Sequence, residues 1–568
     1  MSKNVLNKTK KIKLKGFHGI DRSYYAGESG FERLENFRLD ASGTLIKRPG
    51  RKAVAKFNHP ICAAIAYELS SPAMPPSDCL VAEPPYLHAY NLLTGDDTVI
   101  ASDLGSTNSK VELVIFNLKP YLFDGKKIRT LSEAGNSTLE VTGYAPLYGK
   151  NWDPVTGGPV NEEPNLLGGE LRINYSVKSE ASTLNLGFNP ISVPRVEING
   201  VQTGAYYIDG KYVRGVFPAG SSVDVWVKRE FEKGPLFGCK SASCVGGGSE
   251  ERLIAYRNPD DRALAFCSSP VSDAAHRESK KGFSQSLPLY FPESLAMDLG
   301  TYQITSVSPC GDSFMIFCEN RTMLAKIGDA GCEIYTLSTA VGAVTAHATF
   351  SKGKQVFTFS RDGIYRFDVD LSEPYDTTLE KLSSMLEGEG APVIDTNCMI
   401  FENYADGELW FCTSENIYIY NFAKKAFYVY TGLYPRAMIC LYGSVYVFDW
   451  YYAWRFHDSY YVDEIDGETS PIKATAVSKW LDFGEIEKSK KNLTVHTVSC
   501  GEGNDFTLNI RTDSGLECNF AATEDETGAP SRQDIRIARC RFRLAKFSIV
   551  ADTESRPKIY AALLTAQT

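Results

Sequence analysis

The stretch Ala346–Val369, AHATFSKGKQVFTFSRDGIYRFDV, reads as three short strands joined by two tight turns. An apolar strand meets the turn Lys352-Gly353-Lys354, and a second apolar strand, Val356-Phe-Thr-Phe359, follows at once. The third, Gly363-Ile-Tyr-Arg-Phe-Asp368, sets aromatic side chains beside small or acidic ones. Glycine reaches the positive φ that a two-residue reversal requires, so the segment predicts a small antiparallel meander.

The same grammar recurs outward from this point. Val111–Leu131, Arg252–Cys267, Ile304–Ile327, Asn397–Tyr430 and Ala437–Phe456 are each two or three strands long, with Cys310-Gly311-Asp312 and Tyr442-Gly443-Ser444 as further glycine turns. Small sheets of this kind, packed face to face and leaving only short edges, are the blades of a β-propeller. Six or seven blades fit the spacing. A set of stacked sandwiches is the competing arrangement, because the repeat has no fixed period or signature dipeptide.

Two regions break the pattern. Between about 132 and 235, a Gly-, Pro- and Asn-rich stretch leads into alternating strands, which predicts an immunoglobulin-like β-sandwich inserted into the propeller. From about 471 to 568 the strands alternate again, which predicts a C-terminal β-sandwich. The expected organisation is therefore an arm and hairpin docking segment over 1–55 and first blades over 56–131. The inserted sandwich follows over 132–240, the remaining blades over 241–470 and the C-terminal sandwich over 471–568. One helix is predicted, Thr377–Glu387, with Leu379, Leu382 and Leu386 on one face and Gly388 as its stop; its expected role is to cover a sheet edge.

At 568 residues the chain exceeds the ~250–300 that one core can serve. The 31 Tyr and 30 Phe favour pleated, half-buried strands. A formal charge of −9 argues against sequence-independent nucleic-acid binding, which needs a basic surface to release counterions. An acidic wall would still suit DNA that slides past without being held. The 14 cysteines lie mostly inside apolar runs and read as reduced core residues, and Cys239 with Cys244 lacks the second pair a zinc site needs. No apolar run approaches ~18 residues and no secretory segment follows Met1, so assembly in a cytoplasm is expected.

Searches for chemistry find no motif. The segments nearest to a sialidase Asp-box, Ser360–Gly363 and Arg511–Gly515, miss the spacing or the first residue. None of the seven histidines stands at His-x-x-x-His spacing, and there is no Gly-x-Ser-x-Gly elbow and no phosphate-binding glycine loop. The run Gly246-Gly-Gly-Ser249 reads as a flexible link. No catalytic, cofactor-binding or metal-ligating residue is therefore assigned, no cofactor is expected, and the chain is expected not to be an enzyme.

The most distinctive stretch is amino-terminal. Lys3, Lys8, Lys10, Lys11, Lys13 and Lys15 form a basic arm, either solvated or docked on an acidic neighbouring subunit. Then come Gly16-Phe-His-Gly-Ile-Asp21, the segment Gly27–Asn36 ending in Glu-x-x-Asn, and Phe37–Gly50 containing Gly43-Thr-Leu-Ile-Lys-Arg-Pro-Gly50. Ser42-Gly43 predicts a hairpin turn and Pro49-Gly50 the next turn. This order of motifs resembles the opening of tail nozzle or hub proteins of short-tailed bacteriophages, the packaged-DNA stabilisation family. The resemblance continues weakly through the repeats to Lys479–Gly484 and Arg539–Arg543.

The resemblance implies a structural virion protein of the phage tail, assembled in the bacterial host cytoplasm. It implies a homohexameric ring below the head-to-tail adaptor, with fibres, spikes or plug proteins attached and DNA passing through the lumen without sequence-specific binding. The alternative is a carbohydrate-binding or carbohydrate-cleaving propeller that recognises a host receptor. Trp410, Trp450 and Trp454 are its candidates for stacking on sugars, although all three sit within strand runs and read first as blade core.

Overall fold

The computed structural model describes residues 9–567 except 16, 23–29, 41, 73, 108–109, 142, 272–288, 329–330, 485–486, 501–505, 523–530 and 555–556. Strands dominate, and helical structure among the described residues is confined to 3₁₀ turns of three to five residues. Among the described residues, seven four-stranded groups follow one another: 63–101, 112–140, 241–298, 304–338, 349–381, 399–431 and 437–456, the last completed by Arg51–Lys56. The protein is a β-propeller, and these groups are blades 1 to 7.

Two compact units make up the chain: Met1–Ala66 with Phe357–Arg366 and Leu379–Thr568, and Tyr67–Val356 with Phe367–Thr378. In the second unit the reason for blade stacking is visible in one strand. Along Arg252–Tyr256, successive side chains point to opposite faces of the sheet. Leu253 and Ala255 pack with Phe116, Tyr121 and Phe123 of blade 2, while Ile254 and Tyr256 pack with Val307, Phe314 and Ile316 of blade 4. Both faces are therefore buried, which is why blade strands such as Ser313–Cys318 read as unbroken apolar runs.

Serine hydroxyls on the first strands of blades 3 and 4 tie each blade to the chain that follows it. Ser243 Oγ of blade 3 donates to Val307 O of blade 4 at 2.8 Å, and Ser306 Oγ donates to Ala346 O ahead of blade 5 at 2.8 Å.

The insertion lies between blades 2 and 3 as a five-stranded and a three-stranded sheet over residues 147–228. Its core holds Trp152, Tyr175, Leu184, Val213 and Val225. Most pairs are antiparallel, but Leu147–Trp152 runs parallel to Glu170–Val177. Asn165, 1% exposed, ties its neck to blade 3 by donating to Leu289 O at 2.7 Å and accepting from Phe291 N at 3.1 Å.

In the first unit, Phe37–Leu39 and Leu45–Lys47 form the hairpin expected around Ser42-Gly43, with Gly43 at φ 80°. They join a sheet with Lys558–Gln567, Lys490–Cys500 and Ser531–Phe542. A second sheet runs through Phe31–Glu35, Glu468–Ser478, Ala545–Thr553 and Phe506–Thr512. Phe17, Phe31 and Phe547 stack in its core at 5.3 and 6.5 Å.

Four expectations are corrected. Thr377–Glu387 is a strand, Thr378–Lys381, followed by a 3₁₀ turn, Leu382–Leu386. The strand completes blade 5, and Ser383 Oγ caps it locally by accepting Ile364 N at 3.0 Å, while Leu379 stays 42% exposed where a helix would have buried it.

The basic arm is not wholly a tail. Thr9–Lys15 pairs with Lys558–Gln567 and buries Ile12, while Lys3 and Lys8 lie outside the described residues. Gly246–Ser249 is the ordered hairpin between Ser241–Val245 and Arg252–Tyr256, where Gly246 stands at φ 78° and a Cβ would meet Glu250 O at 2.6 Å. Pro49-Gly50 is a close crossing rather than a turn: Gly50 N donates to Tyr460 O at 2.7 Å, and a Cβ there would lie 2.1 Å from Val462 O.

Candidate functional site

The amino-terminal signature folds into a clasp. Asn36 adopts φ 54°, a left-handed conformation that asparagine tolerates better than most residues, and is 5% exposed. Its Nδ2 donates to Thr431 Oγ1 and Lys473 O, both at 2.8 Å, and its Oδ1 accepts from Thr431 N at 3.0 Å and Arg48 Nε at 3.2 Å. Arg48, buried at 3%, forks onto Asp463, which also accepts from Arg51 Nε at 3.3 Å. Burial would raise the Asp463 carboxyl, but the hydrogen bond from Arg48 and the charges of Arg48 and Arg51 outweigh it and hold the group below its ordinary range. The signature residues thus hold blade 6 to the strand Glu468–Ser478.

Beside the clasp lies a cleft of about 190 Å³, lined by Arg38, Asn403, Asp406, Glu408, Trp410, Tyr430, Phe456 and Asp458 among others. Its floor is the hairpin Asn403-Tyr-Ala-Asp-Gly-Glu408, closed by the pairing of Asn403 with Glu408 and by Gly407 at φ 65°. Asn403 Nδ2 donates to Asp406 Oδ2 at 2.9 Å. Arg38 reaches in from the amino-terminal hairpin, donating through Nη2 to Asp458 Oδ1 at 2.8 Å, with Nη1 3.5 Å from Asp406. Trp410 forms the wall, edge-on to Tyr430 at 5.6 Å and to Phe456 at 5.9 Å.

Glu408 is 2% exposed and opens an otherwise apolar strand, Glu408–Cys412. It accepts from Trp410 Nε1 at 2.9 Å and from the Tyr428 hydroxyl. Burial, reinforced by the negative charge of Asp406, pushes the carboxyl up to about 7. A carboxyl poised near neutrality among other carboxylates can give or take a proton at working pH.

The three sequence-derived tryptophans separate. Trp410 and Trp454 are buried at 3% and 5%, and Trp454 Nε1 donates to Asp449 Oδ2 at 2.6 Å. Trp450 is 46% exposed, with the Arg436 guanidinium 4.0 Å over its ring. Only Trp410 belongs to the cleft. Arg38, Asn403, Asp406, Glu408 and Asp458 escape motif reasoning because no short spacing unites them, although a glutamate heading the run Leu-Trp-Phe-Cys is a legible anomaly. Cys239 is buried and its thiol pushed up to about 12 by burial, while Cys244 Sγ lies 2.9 Å from Ile115 O. Among the described residues, no three His, Cys, Asp or Glu side chains gather as a metal set.

No family model and no curated protein matches the chain. Solved structures to which it is similar include PorZ, a surface component of the type-IX secretion system of Porphyromonas gingivalis, at 10% identity and TM-score 0.35. That match covers 83% of this chain, which spans only 46% of PorZ. AztD from Citrobacter koseri matches at 10% identity over 80% of this chain and 97% of its own, with TM-score 0.29. Exo-β-1,3-galactanase from Phanerochaete chrysosporium matches at 9% identity over 98% of this chain and 100% of its own, with TM-score 0.22. Since glycoside hydrolases stand among these structures, the expectation that the chain is not an enzyme is withdrawn.

Proposed function

We propose that the chain is a subunit of the tail nozzle or hub of a short-tailed phage, forming a homohexameric ring below the head-to-tail adaptor. DNA would pass through its lumen, and fibres, spikes or plug proteins would attach to it. The observation that carries this reading is the clasp: the residues of the family-like signature, Asn36, Arg48 and Gly50, are spent on holding structure together. A subunit loaded by pressurised DNA needs such joints, and blade loops offer many docking points on a stiff frame. Negative-stain electron microscopy of the purified full chain tests the proposal. A ring of subunits is the expected image, and a monomer at all concentrations, with no ring in intact particles, overturns it.

A second reading, a carbohydrate-binding or carbohydrate-cleaving propeller, is favoured by the Glu408 cleft with its three carboxylates and aromatic wall. Its test is a glycan panel probed with the full chain for both binding and turnover. If no glycan is bound or cleaved, this reading falls.

A further inference from the structure

We propose that the outward face of the three-stranded sheet in the inserted sandwich binds a neutral glycan chain, through Tyr207, Tyr212 and the Asp209–Arg214 ion pair set between them. The inference rests on the carbohydrate reading and gives it a binding surface on the insertion.

Strand register builds the surface. The sheet runs in the order Ala181–Asn185, Tyr212–Phe217, Tyr206–Asp209. Tyr207 stands opposite Arg214 and Asp209 opposite Tyr212, and residues directly opposite share a face. The other face belongs to the sandwich core, where Val213 and its partner Leu184 are fully buried. The four side chains therefore form one outward block, with the tyrosines on one diagonal and the charges on the other. Arg214 Nε donates to Asp209 Oδ2 at 2.6 Å, and Lys211 Nζ and the Arg214 guanidinium lie 5.5 and 5.9 Å from the Tyr212 ring centre. The block is open to solvent: Tyr207 is 63% exposed, the Arg214 and Asp209 side chains are 38% and 54% exposed, and Tyr212 is half-buried. Tyr206 shows the contrast, since its ring packs on the sandwich core and its hydroxyl donates to Val193 O at 2.7 Å.

The chemistry of the block selects its occupant. An apolar protein surface would strip water from Asp209 and Arg214 without replacing the lost hydrogen bonds, and the cores of protein interfaces are depleted in such charges. A nucleic acid needs a basic surface, whereas Asp209 offsets Arg214 here and the whole chain carries a formal charge of −9. A sugar chain meets both demands. Its C–H faces can lie on the tyrosine rings while its hydroxyls donate to Asp209 and accept from Arg214, so the ion pair stays hydrogen-bonded when water leaves. Because the charges of Asp209 and Arg214 cancel, a neutral chain is favoured over a polyanion. The block is a sheet face and not an enclosed cavity, so it suits a run of sugar rings and not a single trapped one.

The test is affinity electrophoresis of the full chain in gels containing laminarin, galactomannan or dextran as neutral probes, with polygalacturonate and single-stranded DNA as polyanions. Retardation by at least one neutral probe is expected. Tyr207→Ala and Tyr212→Ala should each weaken it roughly fivefold or more, Tyr207→Phe should keep it within about twofold, and Trp450→Ala should leave it unchanged. Tyr207 is largely exposed, so its variants keep the test valid if Tyr212→Ala fails to fold. Retardation by a neutral probe that survives Tyr207→Ala overturns this surface and leaves the carbohydrate reading standing. Retardation by the polyanions alone, fading with added salt, overturns the inference in favour of an electrostatic surface. Retardation by none of the probes also overturns it, and a blank result across the broader glycan panel removes the carbohydrate reading itself.

Discussion

Arg48 and Asp463 face each other through two parallel hydrogen bonds, Nη1 to Oδ1 at 3.0 Å and Nη2 to Oδ2 at 2.7 Å, with the arginine side chain only 3% exposed. Such a fork is matched in shape to the carboxylate and cannot be copied by lysine. Asp463→Ala should therefore destabilise the protein by ~3–5 kcal/mol, because it strands a buried guanidinium. Urea denaturation measures this, and a loss below ~1 kcal/mol would show the pair to be dispensable. The pH sign follows from the lowered carboxyl: its contribution is present above the ordinary carboxylate pKa and is lost as pH falls.

Asn36 separates two costs that usually travel together. Asn36→Ala should lose the side-chain bonds to Thr431, Lys473 and Arg48 and also place a Cβ-bearing residue without local compensation at φ 54°. Asn36→Gly loses the same bonds but relaxes the backbone. The glycine variant should be the more stable of the two by ~1 kcal/mol. Equal melting temperatures would mean that the backbone conformation is set elsewhere.

The sequence discloses the propeller and conceals the cleft for the same physical reason. Blade strands are buried on both faces, so Ser313–Cys318 and Glu408–Cys412 appear as apolar runs that follow a glycine turn at any position in the chain. The insertion shows itself by alternation, since a sandwich strand such as Glu170–Val177 buries every second residue. A cleft drawn from Arg38, the Asn403–Glu408 hairpin and Asp458 has no such local signature, because contacts over hundreds of residues assemble it. The misread helix at Thr377–Glu387 fails differently: leucines at positions 379, 382 and 386 satisfy helical spacing, yet Leu382 and Leu386 are equally well buried by a 3₁₀ turn after an edge strand. Trp450 was indistinguishable from Trp454 in sequence and is set apart only by its exposed position after blade 7's second strand.

His88, 5% exposed in blade 1, lies between Glu83 Oε1 at 2.9 Å and Asp97 Oδ1 at 2.8 Å. Burial by itself lowers the imidazole pKa, but the hydrogen bonds and charges of Asp97 and Glu83 outweigh it and raise it above 6.5. The stabilisation it supplies is then fully present below the unfolded value and lost as pH rises through the folded one. His88→Gln should cost more stability at pH 6 than at pH 8.5, read by chemical denaturation at both. An equal cost at the two pH values would rule out the charged form as the stabilising one.

Glu408 bends the same curve from the other side of the titration scale. Its carboxyl rises from 4.5 to about 7 because burial penalises the anion, so the folded protein holds this proton more tightly than the unfolded chain does. Between those values stability must fall as pH rises, by at most ~3 kcal/mol at 1.36 kcal/mol per unit. Glu408→Gln is neutral throughout and keeps the side-chain shape, so it should flatten that slope while leaving the His88 contribution, which lies at higher pH, in place. Thermal unfolding of both proteins at pH 5 and pH 7.5 decides the matter. If the variant loses as much stability across the interval as the parent, Glu408 is ionised in the fold and cannot hold a proton for the cleft. If the slope flattens, the fold carries a neutral acid beside Asp406 at mild acidity.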